Sequence, residues 1–379
     1  MIAKSIKGKS TQEVLDELEN AQADGFVPTL AIVFLSVQQD QGAIVDLLDK
    51  HSIQVFGATT SGEFTDGDIE EGSCVILLLD MKPEHFKIIF KETGTHTTLE
   101  NAVALGAEGI DRYPNPAFII ASGWVSKDGE EIVEGITQGF GGEVTIFGGM
   151  AGDDLKLEGP IVFTNKFSSD QGLLGLVINQ DKIEINGIAT CGWKPIGTTK
   201  TITRSEGNIV YTIDDKPALD LILKYLGVEY NFDSGKEIVT QVGAYYPLQM
   251  EREGVAPVMR TAMFANRNDR SLICAGNVPQ GSKVRFSLPP DFDAIEKVIE
   301  ECEALKKEKQ HEADALIMIS CVSRHLSFGI LLKEEIERVQ QVWGAPMAGF
   351  FSYGEYGKSK TGKHEFHNNT CCVVALKEK

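Results

Sequence analysis

The chain has 379 residues, enough for two domains, and its 42% hydrophobic and 24% charged content lets it bury a sizeable core. Asp plus Glu number 55 against 36 Lys plus Arg, a formal charge of −19. That excess argues against nucleic acid or an anionic membrane as the main partner, because both reward clustered positive charge.

The N-terminus carries no apolar stretch of the signal-peptide kind, and the longest apolar runs are strand-sized, so no spanning helix is expected. Seven cysteines without a C-x-x-C pair suit a reducing, cytoplasmic setting. Ser10-Thr11-Gln12-Glu13 is a capping box that predicts a first helix through Val14, Leu15 and Leu18. Leu30 to Ser36 reads as a strand, Ile44 to Leu48 as a helix, and Ile53 to Phe56 as a second strand stopped by Gly57. The glycine-bearing stretch GATTSGEFTDGD follows, and then a strand from Cys74 to Leu79.

That order returns twice. The second copy runs from the strand Ala117 to Ala121, through a helix carrying Ile132, Val133 and Ile136, to the strand Val144 to Phe147 and the loop GGMAGDD. The third runs from Ala315 to Ser320, through a helix with Leu331, Leu332, Ile336 and Val339, to Pro346 to Ala348 and the loop GFFSYGEYG. Copies one and three share a G-x-x-x-x-G-E signature at Gly57 to Glu63 and Gly349 to Glu355. Copies two and three share two strands and a helix upstream: Ser73 to Leu79, Phe86 to Phe90 and Leu99 to Ile110 in one, Ser271 to Ala275, Lys283 to Phe286 and Phe292 to Leu305 in the other. Between these copies, Thr199 to Val210 reads as a hairpin, and Asp215-Lys216-Pro217 opens a helix that Gly227 caps. The fold class expected is α/β (mixed α+β), with internally duplicated strand-helix-strand modules forming two pseudo-equivalent, sheet-containing halves.

The motifs bear on chemistry unevenly. The GGMAG loop lacks the helix that a dinucleotide fingerprint starts at its last glycine, which leaves tight turns or a site for a non-nucleotide ligand. Cys321 with His325 four residues on and Arg324 between, together with Glu63 and Glu355, is the only support for a thiol-dependent or acid-base hydrolase; packing at a strand end is the plainer role for Cys321. His364 and His367 lie three apart on a strand, hence on opposite faces, so no metal is expected there. His325 also suits a haem axial ligand, which has no spacing signature. Arg324 past one strand end, with Glu63, Glu355 and the pair Asp153 and Asp154 after glycines at others, is the chemistry that grips a zwitterion. The same acids capping turns, with the arginine paired to one of them, is the alternative.

The stretches FGATTSGEF, FGGMAGDD with VFTNK, GWKPIG leading to TITRSEGNIVYTIDDKPALDLI, ALIMISCVSR, and APMAGFFSYGEYG with FHNNT together resemble the FIST family of bacterial sensory modules. The resemblance spans about Leu30 to Leu376 and implies an N-terminal helical segment at 1–25, a FIST N domain at 26–220 and a FIST C domain at 221–379. It implies a cytoplasmic sensor without catalysis that binds an amino acid or small carboxylate. Occupancy would then regulate a separate histidine kinase, chemotaxis receptor or cyclic-di-GMP enzyme. Some stand-alone members, of the NosP type, are haem-binding nitric-oxide sensors that control a histidine kinase; for haem b the candidate ligands here are His325 and His367, and no cofactor is otherwise required. The candidate ligand-binding residues, taken from the repeat, are Thr59, Thr60, Ser61, Glu63, Gly149, Asp153, Asp154, Cys321, Arg324, Phe351, Ser352 and Glu355.

Overall fold

An apolar run such as Leu30 to Leu35 has no polar side, and a strand of that kind needs cover on both faces. The computed structural model supplies it; it describes residues 1–92, 94, 96–123, 129–234, 238–309 and 312–379, with the backbone alone for 239 and 241. The first module runs β1 (Ala3–Gly8), α1 (Thr11–Gln22), β2 (Leu30–Leu35), α2 (Gln41–Lys50), β3 (Gln54–Thr59), the hairpin β4 (Glu63–Thr65) and β5 (Asp68–Glu70), and β6 (Cys74–Leu79). The second repeats it as β7 (Phe86–Glu92), α3 (Thr98–Arg112), β8 (Pro116–Ser122), α4 (Glu130–Phe140), β9 (Thr145–Met150), β10 (Val162–Phe163), β11 (Ser168–Ser169) and β12 (Gly172–Asn179).

The third module opens with β13 (Ile183–Thr190) and is then interrupted. The interruption holds β14 (Pro195–Glu206), β15 (Ile209–Ile213), β16 (Lys216–Pro217), α5 (Ala218–Leu226), β17 (Leu248–Met250), β18 (Val258–Arg260), β19 (Ala262–Ala265), β20 (Leu272–Cys274) and β21 (Lys283–Ser287). These strands form an eight-stranded antiparallel sheet of their own. The module resumes with α6 (Phe292–Lys309), β22 (Ala315–Cys321), α7 (Val322–Phe328), α8 (Leu331–Trp343), β23 (Met347–Ser352), β24 (Glu355–Lys358), β25 (His364–His367) and β26 (Cys371–Glu378). The mixed α/β class and the repeat are therefore present. The N-terminal half carries two modules, and the C-terminal half carries most of the third together with most of the inserted sheet.

Each module builds one six-stranded sheet on one plan. β2 lies between β6, antiparallel, and β3, parallel; β8 and β22 sit the same way between β12 and β9 and between β26 and β23. The antiparallel edge strands are β1, β7 and β13. Two expectations change here. The 1–25 segment, expected as helical, also supplies β1, so the first copy has the upstream strand and helix too. In the third copy the upstream strand is β13, because Leu272–Cys274 and Lys283–Ser287 belong to the inserted sheet.

The fifth and sixth strands of every sheet, counted from β1, β7 or β13, are borrowed. The β4–β5 hairpin of module one pairs with β23 of module three, β24–β25 of module three with β9 of module two, and β10–β11 of module two with β3 of module one. A glycine accepts an aromatic residue at each junction: Gly349 faces Phe64, Gly148 faces Tyr356 and Gly57 faces Phe163. A Cβ at Gly57 would stand 2.1 Å from the Phe163 ring, and one at Gly349 2.1 Å from the Phe64 ring. Gly57 therefore does not stop the strand; β3 continues through it to Thr59 because the missing side chain makes room for the borrowed hairpin.

Alternate residues of the central strands then go to different cores. Leu30, Ile32 and Phe34 join Ala117, Ile119, Ala121, Ala315, Ile317 and Ile319 in one core shared by all three sheets. Ala31, Val33 and Leu35 point the other way, into a layer closed by Val14, Leu18, Ile44 and Leu48 of α1 and α2. Full burial of each Leu or Ile side chain contributes about 1.5–3 kcal/mol, so the shared core ties the modules strongly.

Candidate functional site

The carboxyl ends of β3, β9 and β23 meet, and their loops close a ring of backbone hydrogen bonds. Ser61 N donates to Phe351 O at 3.0 Å, Tyr353 N to Met150 O at 3.3 Å, and Gly152 N to Thr59 O at 2.8 Å. A second set runs back: Phe351 N to Gly62 O at 2.9 Å, Met150 N to Gly354 O at 2.8 Å, and Thr59 N to Ile161 O at 2.8 Å. Buried backbone groups at strand ends need partners, and here each loop serves the next.

The two repeated glutamates sit beside this ring and are matched. Glu63 accepts from the Thr60 hydroxyl, from Ser73 N at 3.1 Å and from Ser73 Oγ at 3.0 Å. Glu355 accepts from Ser352 Oγ at 2.6 Å, Thr370 N at 3.2 Å and Thr370 Oγ1 at 2.7 Å. Both are fully buried, and burial pushes each pKa up to about 7 against the lowering by those donors. The register places Val162 where the other modules have these glutamates. Asp153 and Asp154 lie instead in the longer turn between Gly152 and Ile161.

That turn is held by one carboxylate. Asp153 accepts from Leu157 N at 3.0 Å, Glu158 N at 2.7 Å, Gly159 N at 3.0 Å and the Tyr353 hydroxyl. Burial alone would raise the Asp153 pKa; these donors outweigh it and hold the group below the usual carboxylate range. Asp154, Leu155 and Leu157 have φ of 55°, 61° and 57°, left-handed values that cost a non-glycine residue roughly 1–2 kcal/mol each. Asp154 also accepts from Ser36 Oγ at 2.8 Å and Gln38 Nε2 at 3.2 Å.

Arg324 lies outside this ring. It sits on α7, fully buried, with Nε 3.1 Å from Glu335 Oε1, Nη2 on Glu335 Oε2, and Nη1 2.7 Å from Cys191 O. Trp193 and Phe328 cover its guanidinium. The gripping role expected of it toward a ligand carboxylate is taken by Glu335 of α8, a residue the sequence reading did not single out. Cys321 is buried, and desolvation pushes its thiol well above the ordinary range, the reverse of an activated nucleophile.

Both histidines expected as haem ligands have partners within the protein. His367 is buried with Nε2 3.2 Å from Gly357 O. His325 stacks on Phe351 at 4.3 Å between centroids, with Nε2 3.5 Å from Glu71 Oε1. Neither lines any of the three cavities described below. Among the described residues no cluster of three or more His, Cys, Asp or Glu could hold a metal ion.

Three cavities lie where the modules meet one another or the inserted sheet, and none is lined by the twelve candidate residues. One, of about 260 Å³, opens between the ring and the inserted sheet. Met150 and Tyr353 at the ring and Phe366 wall one side; Ile209, Met263 and Ile273 wall the other, and among the described residues no charged one lines it. The largest, about 540 Å³, runs between one stripe of α4 and the β24–β25 hairpin, with Glu134 and Glu143 as well as Lys358 and Lys363 along it. The third, about 340 Å³, lies between α6 and β13 and shares His364 and Lys358 with the largest. Met150 and Tyr353 stand inside the GGMAG and GFFSYGEYG motifs, so the repeat pointed within one or two residues of the cavity; the residues of the inserted sheet carried no signal at all.

The architecture defines an internally repeated α/β scaffold whose loops meet at the carboxyl ends of the strands and border a cavity. The chain belongs to the FIST family: the FIST N domain matches residues 29–216 and the FIST C domain residues 218–358. FIST domains are associated with sensing small ligands in signal transduction. No curated protein matches the chain significantly. No described helix is long and apolar enough to cross a membrane.

Proposed function

We propose that the chain is a small-ligand sensor without catalysis, which receives its ligand in the 260 Å³ cavity and acts on a separate signalling protein such as a histidine kinase. The observation that carries this reading is that Met150 and Tyr353, one residue from each of two ring loops, wall an apolar cavity beyond the ends of β9 and β23. Open α/β sheets take ligands at that end of their strands. The described wall is uncharged and mostly apolar, which favours an uncharged, largely apolar ligand, because a zwitterion against those residues would lose its hydration. Thermal-shift measurements with small aromatic hydrocarbons, amino acids and carboxylates test this. Stabilisation by the first group supports the reading, and no shift with any of them overturns it.

A second reading keeps the amino acid or small carboxylate expected from the resemblance and seats it in the 540 Å³ groove. The observation in its favour is that both signs of charge line that groove, Glu134 and Glu143 with Lys358 and Lys363. Stabilisation by amino acids that is lost in Lys363→Ala and kept in Met263→Ala would choose this reading over the first. For the partner, phosphotransfer by a purified histidine kinase with and without the liganded protein is the direct assay.

A further inference from the structure

We propose that the open edge of β25 is the docking strand for the separate signalling protein, and that the 540 Å³ groove beside it takes an extended, mixed-charge segment of that partner as a further strand of the sheet. The inference takes from the proposed function only that the chain acts on another protein. It leaves the 260 Å³ cavity to the ligand and contends with the second reading for the groove.

β25 ends its sheet and pairs with β24 on one side. Beyond that pairing, the main-chain groups of His364, Glu365 and Phe366 have no hydrogen-bond partner among the described residues. A strand edge in that state is a template for another strand. The groove follows the edge. Lys363, His364, Glu365 and Phe366 all line it, and alternate side chains leave a strand on opposite faces, so a space that touches four in a row runs beside the strand. The other wall is α4. A Cβ on Gly129, at the start of that helix, would stand 2.5 Å from the Phe366 ring, and Ile146 beyond its end is bonded to Nδ1 of His364. The helix therefore runs alongside β25 in the opposite sense. A strand edge flanked in this way is a setting in which extended peptides add to a sheet, with main-chain bonds for affinity and side-chain contacts for selectivity. The 11 residues of α4 span about 16 Å, room for about five extended residues.

The counterparts of this hairpin are tied down at the same place. The hairpin lent by module one is held to β1 by Lys7 on Asp68, by Lys9 on Glu70 at 3.2 Å and by Ser5 on Asp66. The one lent by module two is held to β7 by Phe167 stacked on Phe90 at 5.2 Å. Arg252 braces the third through Glu365, yet at its tip the Lys358, Lys360 and Lys363 side chains have no hydrogen-bond or ion-pair partner among the described residues. Lys358 and Lys363 stand on the hairpin side of the groove, and Glu134 and Glu143 on the other. A segment that turns carboxylates to the lysines and ammonium groups to the glutamates suits both walls, whereas a segment of one sign is repelled by one of them.

The probe is the peptide acetyl-Lys-Val-Glu-Val-Lys-Val-Glu-amide, whose charges alternate in either direction, used with the full chain. At low salt it is expected to bind and to slow hydrogen exchange of the outward β25 amides by about tenfold or more. Lys363→Glu, at an exposed position, is expected to keep the wild-type melting temperature and to bind the peptide about fivefold or more weakly. The same peptide N-methylated at every residue keeps the side chains and loses the main-chain donors, and is expected not to bind. No binding of the parent peptide at about 1 mM overturns the proposal, and so does equal binding of the N-methylated form. Free amino acids that block the peptide give the groove to the second reading. A dimer in sedimentation that Lys363→Glu splits gives the edge to a second copy of the chain. Either result overturns the docking of a partner segment. None of them moves the thermal-shift test of the 260 Å³ cavity, which stands or falls by itself.

Discussion

Glu355 is bonded by Ser352 and Thr370 in the arrangement in which Thr60 and Ser73 bond Glu63. The two carboxyls are equivalent members of a repeat, both are buried, and each has its pKa raised to about 7.

These carboxyls set a pH dependence of stability. The folded pKa lies above the unfolded value near 4.5, so the folded protein holds the proton more tightly. The stabilisation is complete below the unfolded pKa and is lost as pH rises through about 7, on the order of 1–3 kcal/mol for each group. His364 and His367 act in the opposite sense: burial lowers both to about 4, so their contribution is present above the unfolded value near 6.5 and is lost as pH falls toward 4. Urea midpoints of wild type, Glu63→Gln and Glu355→Gln at pH 5, 6, 7 and 8 separate the two. The gap between wild type and each variant should move against wild type as pH rises, and a gap constant with pH would refute the assignment.

Arg324 and Glu335 form a buried pair whose members cannot be removed singly. Glu335→Ala leaves an unpaired guanidinium under Trp193 and Phe328 and should cost about 3–5 kcal/mol of unfolding free energy. Replacing both by apolar residues of similar volume should restore much of that loss. A Glu335→Ala variant as stable as wild type in urea would show that the pair does not hold α7 to α8.

The hairpin junctions should be intolerant of a methyl group. Gly57→Ala puts a carbon into the Phe163 ring and is expected to destabilise by about 1–3 kcal/mol. Gly57→Ala with Phe163→Leu should recover part of the loss, because the smaller side chain yields the space. Additive losses in this pair, read from urea midpoints, would contradict direct contact.

All seven cysteines are free, and burial raises every one of their thiol pKa values, with Cys191 pushed to about 11. Titration with a thiol-reactive disulfide dye at pH 8 should therefore find almost no fast-reacting thiol in the folded protein and seven in denaturant. Rapid labelling of Cys321 in the folded state would reopen a thiol chemistry there.

Much of the fold was legible because central strands covered on both faces read as unbroken apolar runs. Leu30–Leu35, Pro116–Ser122 and Ala315–Cys321 were all visible in that way. Helix ends were legible where a local residue sets them, as Ser10 does for α1 and Gly227 for α5. Gly57 misled because its local preference is to break a strand, while a ring contributed from more than a hundred positions later decides the matter. The module-three edge strand misled too, since an inserted sheet separates β13 from α6. The candidate site was legible as a meeting of loops and not as a pocket. Spacing marked Glu63, Ser352 and Glu355, but nothing local reveals that their oxygens are already satisfied by Thr60, Ser320 and Thr370 or their like.

The exchange of hairpins has a consequence for how the protein can come apart. Because each module lends a hairpin to a neighbour and the loans close a circle, no third of the chain owns a finished sheet. A fragment stopping after β12 would keep β4–β5 with nothing to dock on and leave the outer side of β9 bare, ready to recruit a strand from another molecule. Melting should accordingly be one interlocked event for the three sheets, and trimming from the C-terminus should yield aggregates in place of a smaller working unit.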